Sequence, residues 1–411
     1  MIPKSLLEET FQDAPRSAPQ LHTLRLGCYS AQFPGPAFSI HDDFLYDTGR
    51  LHRVELINCQ ISWDSPLLNS LTRLTLEVDE PLKTNCSFNQ FLDALQRMPA
   101  LTNLRLKDSI PDDSEGISTY PVVDLPYLRV LSISSGTGTL TTVLRHIAFP
   151  QSVMLNLTCK ESRSTGIDFS NFLSVLATKF LSSLIVRSLS LQVLDDLRIS
   201  QTDGLEFHLW TNAIIQDCCP FKSSIIPQSQ LQLILTWPSP RSHIYVEVLT
   251  CVVDVMSLPF LTQLRISTFE YIDSQTWVNT FGSLPLFKWV CLQGSASYQF
   301  FEALDYKTRA AEKSTTAYRS VFFPKLRYIH LEGTSFDSSV VAFDVETLMG
   351  CLMERFERNT EVHLLRMDDC NFISSDEVEL LKEIVVDVVW DGVEQERVST
   401  DHWHDLEEES L

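Results

Sequence analysis

The sequence has no long apolar run, and no stretch of it approaches the roughly 18 consecutive apolar residues that a membrane helix needs. Its first residues have no basic lead and no long apolar segment, so we expect no secretory signal peptide. Positive charge is scarce: 32 lysines and arginines stand against 53 aspartates and glutamates, and the net charge is −21. Such a chain repels nucleic-acid backbones and anionic membranes, so we expect neither as a partner.

Paired cysteine spacing is also missing. The ten cysteines form no recognised pairing or metal motif, and several lie inside apolar segments, where a free cysteine acts as a small hydrophobic residue. This usage is typical of a reducing compartment, so we expect an intracellular protein, cytoplasmic or nuclear.

Sequence signatures of catalysis are absent as well. No G-x-S-x-G segment occurs, and Cys218-Cys219 have no motif partner. Residues 134–140 follow a predicted strand and precede a predicted helix, as a phosphate-binding loop does, but the Walker lysine is missing and residue 141 is threonine where a dinucleotide motif needs glycine. We interpret this segment as a strand-to-helix turn whose hydroxyl groups cap the helix.

A short histidine motif near the C-terminus, His402-Trp403-His404, is flanked by acids and is able to chelate a divalent metal. We interpret it as part of a solvated acidic tail, because a flexible tail holds an ion weakly. The sequence therefore predicts no cofactor, no metal site and no enzymatic activity. An enzyme with an inconspicuous site is the remote alternative.

What the sequence does contain is a recurring spacing: an apolar residue, two others, an apolar residue, one other, and an apolar residue, often with proline two places ahead. Leu101, Leu104 and Leu106 follow Pro99 in this way. The starts at residues 21, 51, 71, 101 and 128 are 30, 20, 30 and 27 residues apart, and a later gap is 39. We count roughly a dozen units of uneven length. The other starts are Leu181, Leu261, Phe287, Leu326 and Val362, with weaker candidates at Leu155, Leu205 and Leu231.

This repeat predicts an α/β fold, a leucine-rich-repeat solenoid. The last two apolar positions lie two residues apart, so a short strand points both side chains to one face. One unit cannot bury its own apolar face, but stacked units can. We therefore expect a curved parallel sheet on the concave side and helices or irregular segments on the convex side. Apolar residues at helical spacing predict helices near residues 88–95, 141–147 and 169–176.

The chain divides into four predicted segments. Residues 1–18 form an N-terminal cap, 19–373 the irregular solenoid, 374–392 a C-terminal helix with a capping strand, and 393–411 an acidic, disordered tail. The third segment rests on Ser374, which precedes Glu377 by three residues as in a capping box, and on the β-branched run that ends at Trp390.

Residues beside the two inward positions of each strand face outward on the concave side. At the N-terminal end these outward positions collect cations, although the protein as a whole is acidic. Arginine clusters commonly read carboxylate or phosphate groups, so we predict an acidic or phosphorylated protein segment as the partner. The alternative is a solvated face whose cations pair with Glu55 and Glu77. The candidate partner-binding residues are Arg25, Arg53, Arg73, Arg105, Lys107, Arg265, Trp289, Tyr328, His330 and Arg366.

Three stretches resemble the C-terminal leucine-rich-repeat region of the F-box-like proteins of mushroom-forming fungi: residues 11–24, 144–157 and 369–392. In that family an N-terminal F-box docks onto the adaptor of an SCF ubiquitin ligase, and the repeats hold the substrate. The resemblance implies that this chain is the substrate-recognition half of such a receptor. Its first repeat begins at Leu21 and no F-box opening motif precedes it, so we do not expect binding to the ligase adaptor. The alternative is a stand-alone repeat scaffold or decoy with no ligase role.

Overall fold

The computed structural model describes residues 2–3, 17–29, 38–40, 44–45, 48–79, 86–111, 120–161, 169–195, 202–211, 228–238, 244–256, 258–268, 272–311, 322–337 and 344–394. Strands and helices alternate along them in a mixed α/β architecture. Within these ranges no helix is both long and apolar enough to cross a membrane. The cysteines in these ranges are all free. Cys218-Cys219, His402-Trp403-His404 and most of the two predicted terminal segments lie outside the described residues.

The strands are short and follow the predicted repeat. They are β1 (Ile2–Pro3), β2 (Thr23–Tyr29), β3 (Phe38–Ser39), β4 (Arg53–Ile57), β5 (Cys59–Gln60), β6 (Arg73–Glu77), β7 (Asn103–Lys107), β8 (Val123–Asp124), β9 (Val130–Gly136), β10 (Ile147–Ala148), β11 (Met154–Lys160), β12 (Ser188–Asp195), β13 (Thr202–Trp210), β14 (Leu231–Pro238), β15 (Gln263–Thr268), β16 (Trp289–Gly294), β17 (Tyr328–Glu332), β18 (Leu364–Asp368) and β19 (Asp387–Trp390).

Fifteen of the described strands form one large sheet in the order β1-β2-β4-β6-β7-β9-β11-β14-β13-β12-β15-β16-β17-β18-β19. The pairs β3–β5 and β8–β10 make two small parallel sheets beside it. Alternation of buried and exposed residues fixes the register of the large sheet: Leu104 pairs with Leu74 on one side and Leu131 on the other. All three leucines are buried. The predicted inward positions are thereby confirmed for these repeats.

Eight described helices return the chain between strands. They are α1 (Phe88–Gln96), α2 (Thr137–His146), α3 (Ser170–Lys179), α4 (Ile244–Met256), α5 (Ser274–Phe281), α6 (Ala296–Ala311), α7 (Val345–Glu357) and α8 (Ser375–Ile384). Their buried apolar residues join those of the strands in one hydrophobic core, so the helices lie against one face of the sheet. From α2 to α8 each helix packs on the next in chain order.

The helix ends show how local sequence sets these boundaries. Ser374 accepts a hydrogen bond from the Glu377 N–H, and the Glu377 carboxylate accepts one from the Ser374 N–H, so the predicted capping box is confirmed. The predicted hydroxyl cap of α2 is wrong. Gly136 is its N-cap and makes no side-chain cap bond. The neighbouring Thr137 hydroxyl donates instead to the carboxylate of Glu161, at 3.1 Å.

The sheet departs from the prediction between β11 and β15. Strand β13 is antiparallel to both β12 and β14, so an entirely parallel sheet was the wrong expectation here. The three strands enter the sheet in reversed order, with β14 beside β11 and β12 beside β15. We call β12–β14 the antiparallel insert. Its strands pack closely: a Cβ atom on Gly204 would lie 2.7 Å from the carbonyl oxygen of Leu235, so only glycine fits there.

The register predicted for the repeat at Leu181 is also wrong. Leu181 lies in a short 3-10 turn, Leu181–Ser183, before the strand begins. The inward residues of β12 are Leu189 and Leu191, which are buried and pair with Leu264 and Ile266. The repeat unit starts at Val186, five residues after the predicted start, and consists of Val186, Leu189 and Leu191. Val186 is buried, whereas the predicted inward residue Leu184 is only partly buried.

Candidate functional site

The face of the sheet opposite the helices, here called the open face, carries the predicted site residues. In one register column Arg53 of β4 pairs with Arg73 of β6. In the next column Arg25 of β2 pairs with Glu55, and Thr75 pairs with Arg105 of β7. The four predicted arginines therefore lie two in each column, on strands about 4.8 Å apart.

The arginine side chains at this end of the sheet are exposed to solvent. Arg105 has strands on both sides, yet 57% of its side chain is exposed. The corresponding value is 43% for Arg53 and 70% for Arg25. Side chains in the interior of a sheet stay this exposed only where no second layer packs on them. Among the described residues, nothing covers the open face here.

Acidic residues accompany most of these cations. We call the group Arg25, Arg53, Glu55, Arg73, Glu77, Asp79, Arg105 and Lys107 the N-terminal patch. Glu55 is buried between Arg25 and Arg53, at 2.8 and 3.2 Å from their guanidinium nitrogens. Arg105 lies 3.9 Å from Glu77, a long contact. Lys107 lies 3.1 Å from Asp79.

Two members of the N-terminal patch stand apart. The side chain of Arg73 has no hydrogen bond or ion pair with any part of the chain that the structure describes. Asp79 is held tightly: the Asn58 side-chain amide donates to its carboxylate at 2.6 Å, and this bond, aided by Lys107, lowers the pKa of Asp79. The patch thus contains five cations and three carboxylates, and one of the five cations, Arg73, is unpaired within the described residues.

The other end of the open face has a different construction. We call Arg265, Trp289, Cys291, Tyr328, His330, Glu332, Arg366 and Asp368, on strands β15–β18, the C-terminal patch. Trp289 stacks on Tyr328 with ring centroids 5.6 Å apart, and Trp289 is buried. Arg265 lies 3.1 Å from Glu332. Arg366 donates from Nε to Asp368 at 2.7 Å.

A buried chain of hydrogen bonds runs beneath these side chains. His330 is completely buried, and its Nε2 lies 2.7 Å from a carboxylate oxygen of Asp368. Its Nδ1 lies 3.3 Å from Sγ of Cys291. Burial lowers the pKa of His330, and the hydrogen bond to Asp368 only partly opposes this effect. The lowered pKa favours a neutral imidazole ring. Because the carboxylate accepts, Nε2 carries the proton and Nδ1 offers its lone pair toward Cys291.

Cys291, His330 and Asp368 stand in the order thiol, imidazole, carboxylate that nucleophilic catalysis uses. Two features argue against that chemistry. Cys291 is completely buried, so no substrate reaches its sulfur in this structure. It also lies inside β16, which is paired on both sides with β15 and β17, so the backbone N–H groups beside it are occupied and supply no oxyanion hole.

The same residues offer ligands for a metal ion. One ligand atom each from Cys291, His330 and Glu332 lies within 4.8 Å of the others, the only such group of three found among the described residues. The three side chains come from β16 and β17, which are adjacent.

The ten predicted site residues thus separate into three groups. Arg25, Arg53, Arg73, Arg105 and Lys107 come together on an exposed surface. Trp289 and His330 are buried and offer almost no surface to a partner in this structure. The remaining predicted residues are Arg265, Tyr328 and Arg366, which are partly exposed.

Sequence reasoning did not single out Glu55, Cys291, Glu332 or Asp368 as site residues. A signal for the C-terminal group was present, since the repeat register alone places Cys291 beside His330, and Glu332 beside Asp368.

Comparison with known proteins adds no relative: no protein-family model matches the chain, and a search of curated proteins finds no match.

Proposed function

We propose that the protein is a leucine-rich-repeat solenoid that binds a protein partner along the open face of its sheet. The observation that carries this proposal is the exposure of Arg53 and Arg105, which have paired strands on both sides. A sheet face left bare over several strands is a rigid surface on which an extended segment lies across successive strands. The stacking of helices in chain order supports the solenoid part of the proposal.

The partner we propose is an acidic or phosphorylated protein segment. Arg73 supports this, because its guanidinium group is unpaired within the described residues and lies beside Arg53. The ion pairs of Arg105 and Lys107 are exposed, and such pairs contribute only about 0–1 kcal/mol, so an incoming carboxylate or phosphate replaces them at little cost. The acidic remainder of the chain would repel the same segment and so confine it to this patch.

The test compares two double charge reversals. Arg73→Glu with Arg105→Glu changes the open face and avoids Arg53, whose loss would leave the buried Glu55 with one cation fewer. Arg145→Glu with Lys179→Glu makes the same change in charge on α2 and α3, on the helix side, where both residues are exposed. Binding of each protein is measured to a panel of acidic, phosphoserine-containing, neutral and basic peptides, at low and physiological ionic strength.

We expect the wild-type chain and the helix-side variant to bind acidic or phosphorylated peptides equally well. The open-face variant should bind them about tenfold or more weakly. Raising the salt should weaken wild-type binding, because exposed charges are screened. Equal affinities for all three proteins, or a preference for basic peptides, would contradict the proposal.

The resemblance to fungal F-box-like proteins supports a more specific proposal, in which the bound partner is the substrate of a ubiquitin ligase. The alternatives are a scaffold or a decoy that holds the same partner. Once a partner is known, its level in cells that lack this protein distinguishes the three hypotheses. The partner level should rise if the protein is a receptor, fall if it is a decoy, and stay unchanged if it is a scaffold. Purified ligase adaptor should not bind residues 1–411, since the F-box is the docking module in that family.

A further inference from the structure

We propose that Cys291, His330 and Glu332 form a binding site for a thiophilic transition-metal ion, with Zn²⁺ as the ion that the ligand set fits best. A thiolate, an imidazole and a carboxylate are all ligands of Zn²⁺. Mg²⁺ and Ca²⁺ prefer oxygen ligands alone, so the sulfur and nitrogen donors disfavour them. This site is separate from the N-terminal patch and independent of partner binding there.

The distances already suit a shared ion. In tetrahedral coordination, Zn–S of about 2.3 Å and Zn–N of about 2.0–2.1 Å separate the two ligand atoms by roughly 3.5 Å. Cys291 Sγ and His330 Nδ1 lie 3.3 Å apart. Both are within 4.8 Å of a carboxylate oxygen of Glu332, which closes on the ion by side-chain rotation.

The surroundings of His330 match those of a metal-bound histidine. A ligating imidazole usually donates its second ring N–H to a carboxylate, which fixes the ring and leaves the other nitrogen free for the ion. Asp368 accepts from Nε2 at 2.7 Å, and Arg366 in turn holds Asp368 through Nε at 2.7 Å. Nδ1 therefore faces Cys291 with its lone pair, on the side where an ion shared with the sulfur would lie.

The ligands also balance the charge of the ion, and one of them is partly exposed to solvent. On binding, the Cys291 S–H bond is replaced by a Zn–S bond and its proton leaves to solvent, so that thiolate and Glu332 together neutralise the ion. Glu332 exchanges its contact with Arg265, 3.1 Å away, for the metal. The Glu332 side chain is 24% exposed, so it is the one of the three ligands that an incoming ion meets first. Three protein ligands leave the fourth position to water.

The test is a Co²⁺ titration of the chelator-treated full chain, followed by Zn²⁺ competition. We expect one ion per chain with the near-ultraviolet absorption of a thiolate–cobalt bond, and its loss when Zn²⁺ is added. Cys291→Ser should abolish the absorption. Asp368→Asn should weaken Zn²⁺ binding about 10–100-fold, as loss of an outer carboxylate does.

Two controls separate this site from others. Cys159→Ser removes an equally buried cysteine whose sulfur bonds to Thr137 at 3.5 Å, and should leave the titration unchanged. His402→Ala with His404→Ala removes the chelating motif of the C-terminal tail and should also change nothing. Absence of a thiolate band in the wild-type chain, or its survival in Cys291→Ser, would overturn the proposal.

A measurement on the wild-type chain covers the case in which Cys291→Ser does not fold. Thiol alkylation is followed by mass spectrometry in moderate urea, where local opening exposes buried cysteines. Zn²⁺ should slow alkylation of Cys291 about tenfold or more relative to Cys159, because the bound thiolate is not free to react. Equal protection of the two cysteines would contradict a site at Cys291.

Discussion

The N-terminal and C-terminal patches occupy the same outward positions of the repeat, but their polar groups lie in different environments. At the N-terminal end arginines extend from bare strands, and Arg25 is 70% exposed. At the C-terminal end His330, at the position equivalent to Arg105, is completely buried. Trp289 and Tyr328 stack in the neighbouring register column, and Arg265 and Arg366 form ion pairs with Glu332 and Asp368. Outward position in a repeat therefore does not by itself determine exposure.

This difference should appear in the energies of the two patches. Exposed ion pairs contribute about 0–1 kcal/mol each. Removing one member of a buried network leaves its partners unsatisfied and costs several times more. We therefore expect the exposed ion pairs of the N-terminal patch to be replaced more easily than the buried His330–Asp368 pair of the C-terminal patch.

The largest effect we expect is from Asp368→Ala. Asp368 accepts from His330 and Arg366, and its loss leaves the buried His330 N–H without an acceptor. The free energy of unfolding, measured by urea denaturation, should fall by about 3 kcal/mol. Asp79→Ala in the N-terminal patch is the matched control and should cost less than about 1 kcal/mol. Similar losses in the two variants would remove the distinction between the patches.

An intermediate effect is expected from Glu55→Gln. Glu55 is shared by Arg25 and Arg53, and the amide keeps its shape while releasing both guanidinium groups from a charged partner. Stability should fall by about 1 kcal/mol or less, and affinity for acidic peptides should rise about threefold. A stability loss as large as that of Asp368→Ala would show that the N-terminal patch is also a fixed network.

The smallest effect concerns pH. The pKa of Asp79 is lowered in the folded state, first by Asn58 and then by Lys107. The Asp79 carboxylate therefore binds a proton less readily in the folded state than in the unfolded chain. Its contribution to the free energy of unfolding is present above the ordinary aspartate pKa of about 3.9. This contribution is lost as the pH falls through the lower pKa of the folded state. Asp79→Asn should lose stability relative to wild type at pH 6 by less than about 1 kcal/mol. The gap should close toward pH 2, and a gap that widens with acid would contradict this sign.

Much of the large sheet could be predicted because its signal is local. Leu104 and its equivalents alternate with polar residues within five positions, which fixes both the strand and its inward face. The reversal of β12–β14 could not be predicted this way. Alternation looks the same in either chain direction, so the buried Leu205, Phe207 and Leu209 of antiparallel β13 match the pattern as well as a parallel strand does.

One signal for strand ends was overlooked. Asn58, Asp108 and Asp369 directly follow β4, β7 and β18 with positive φ, and Gly333 does so after β17. Asparagine, aspartate and glycine tolerate this left-handed conformation best, so these residues mark where these four strands end.

The C-terminal site was harder to predict because its parts are distant in sequence. Cys291, His330 and Asp368 are separated by 39 and 38 residues, the lengths of whole repeats. No motif of fixed spacing connects them. Their approach follows only when three strands are aligned in register.

The antiparallel insert has a consequence for folding cooperativity. Strands β1–β11 are joined to near neighbours in the chain, and so are β15–β19. Among the described strands, the two groups are connected in the sheet only through β12–β14. Closing this connection pairs Ser188 with Gln263 across 75 residues, which is slower than pairing successive repeats. In a repeat protein each unit is stabilised by contacts with its direct neighbours. The contacts of the antiparallel insert therefore determine how cooperatively the two groups of strands fold. Native-state hydrogen exchange should therefore divide the chain at β12–β14, with amides on either side opening as separate units.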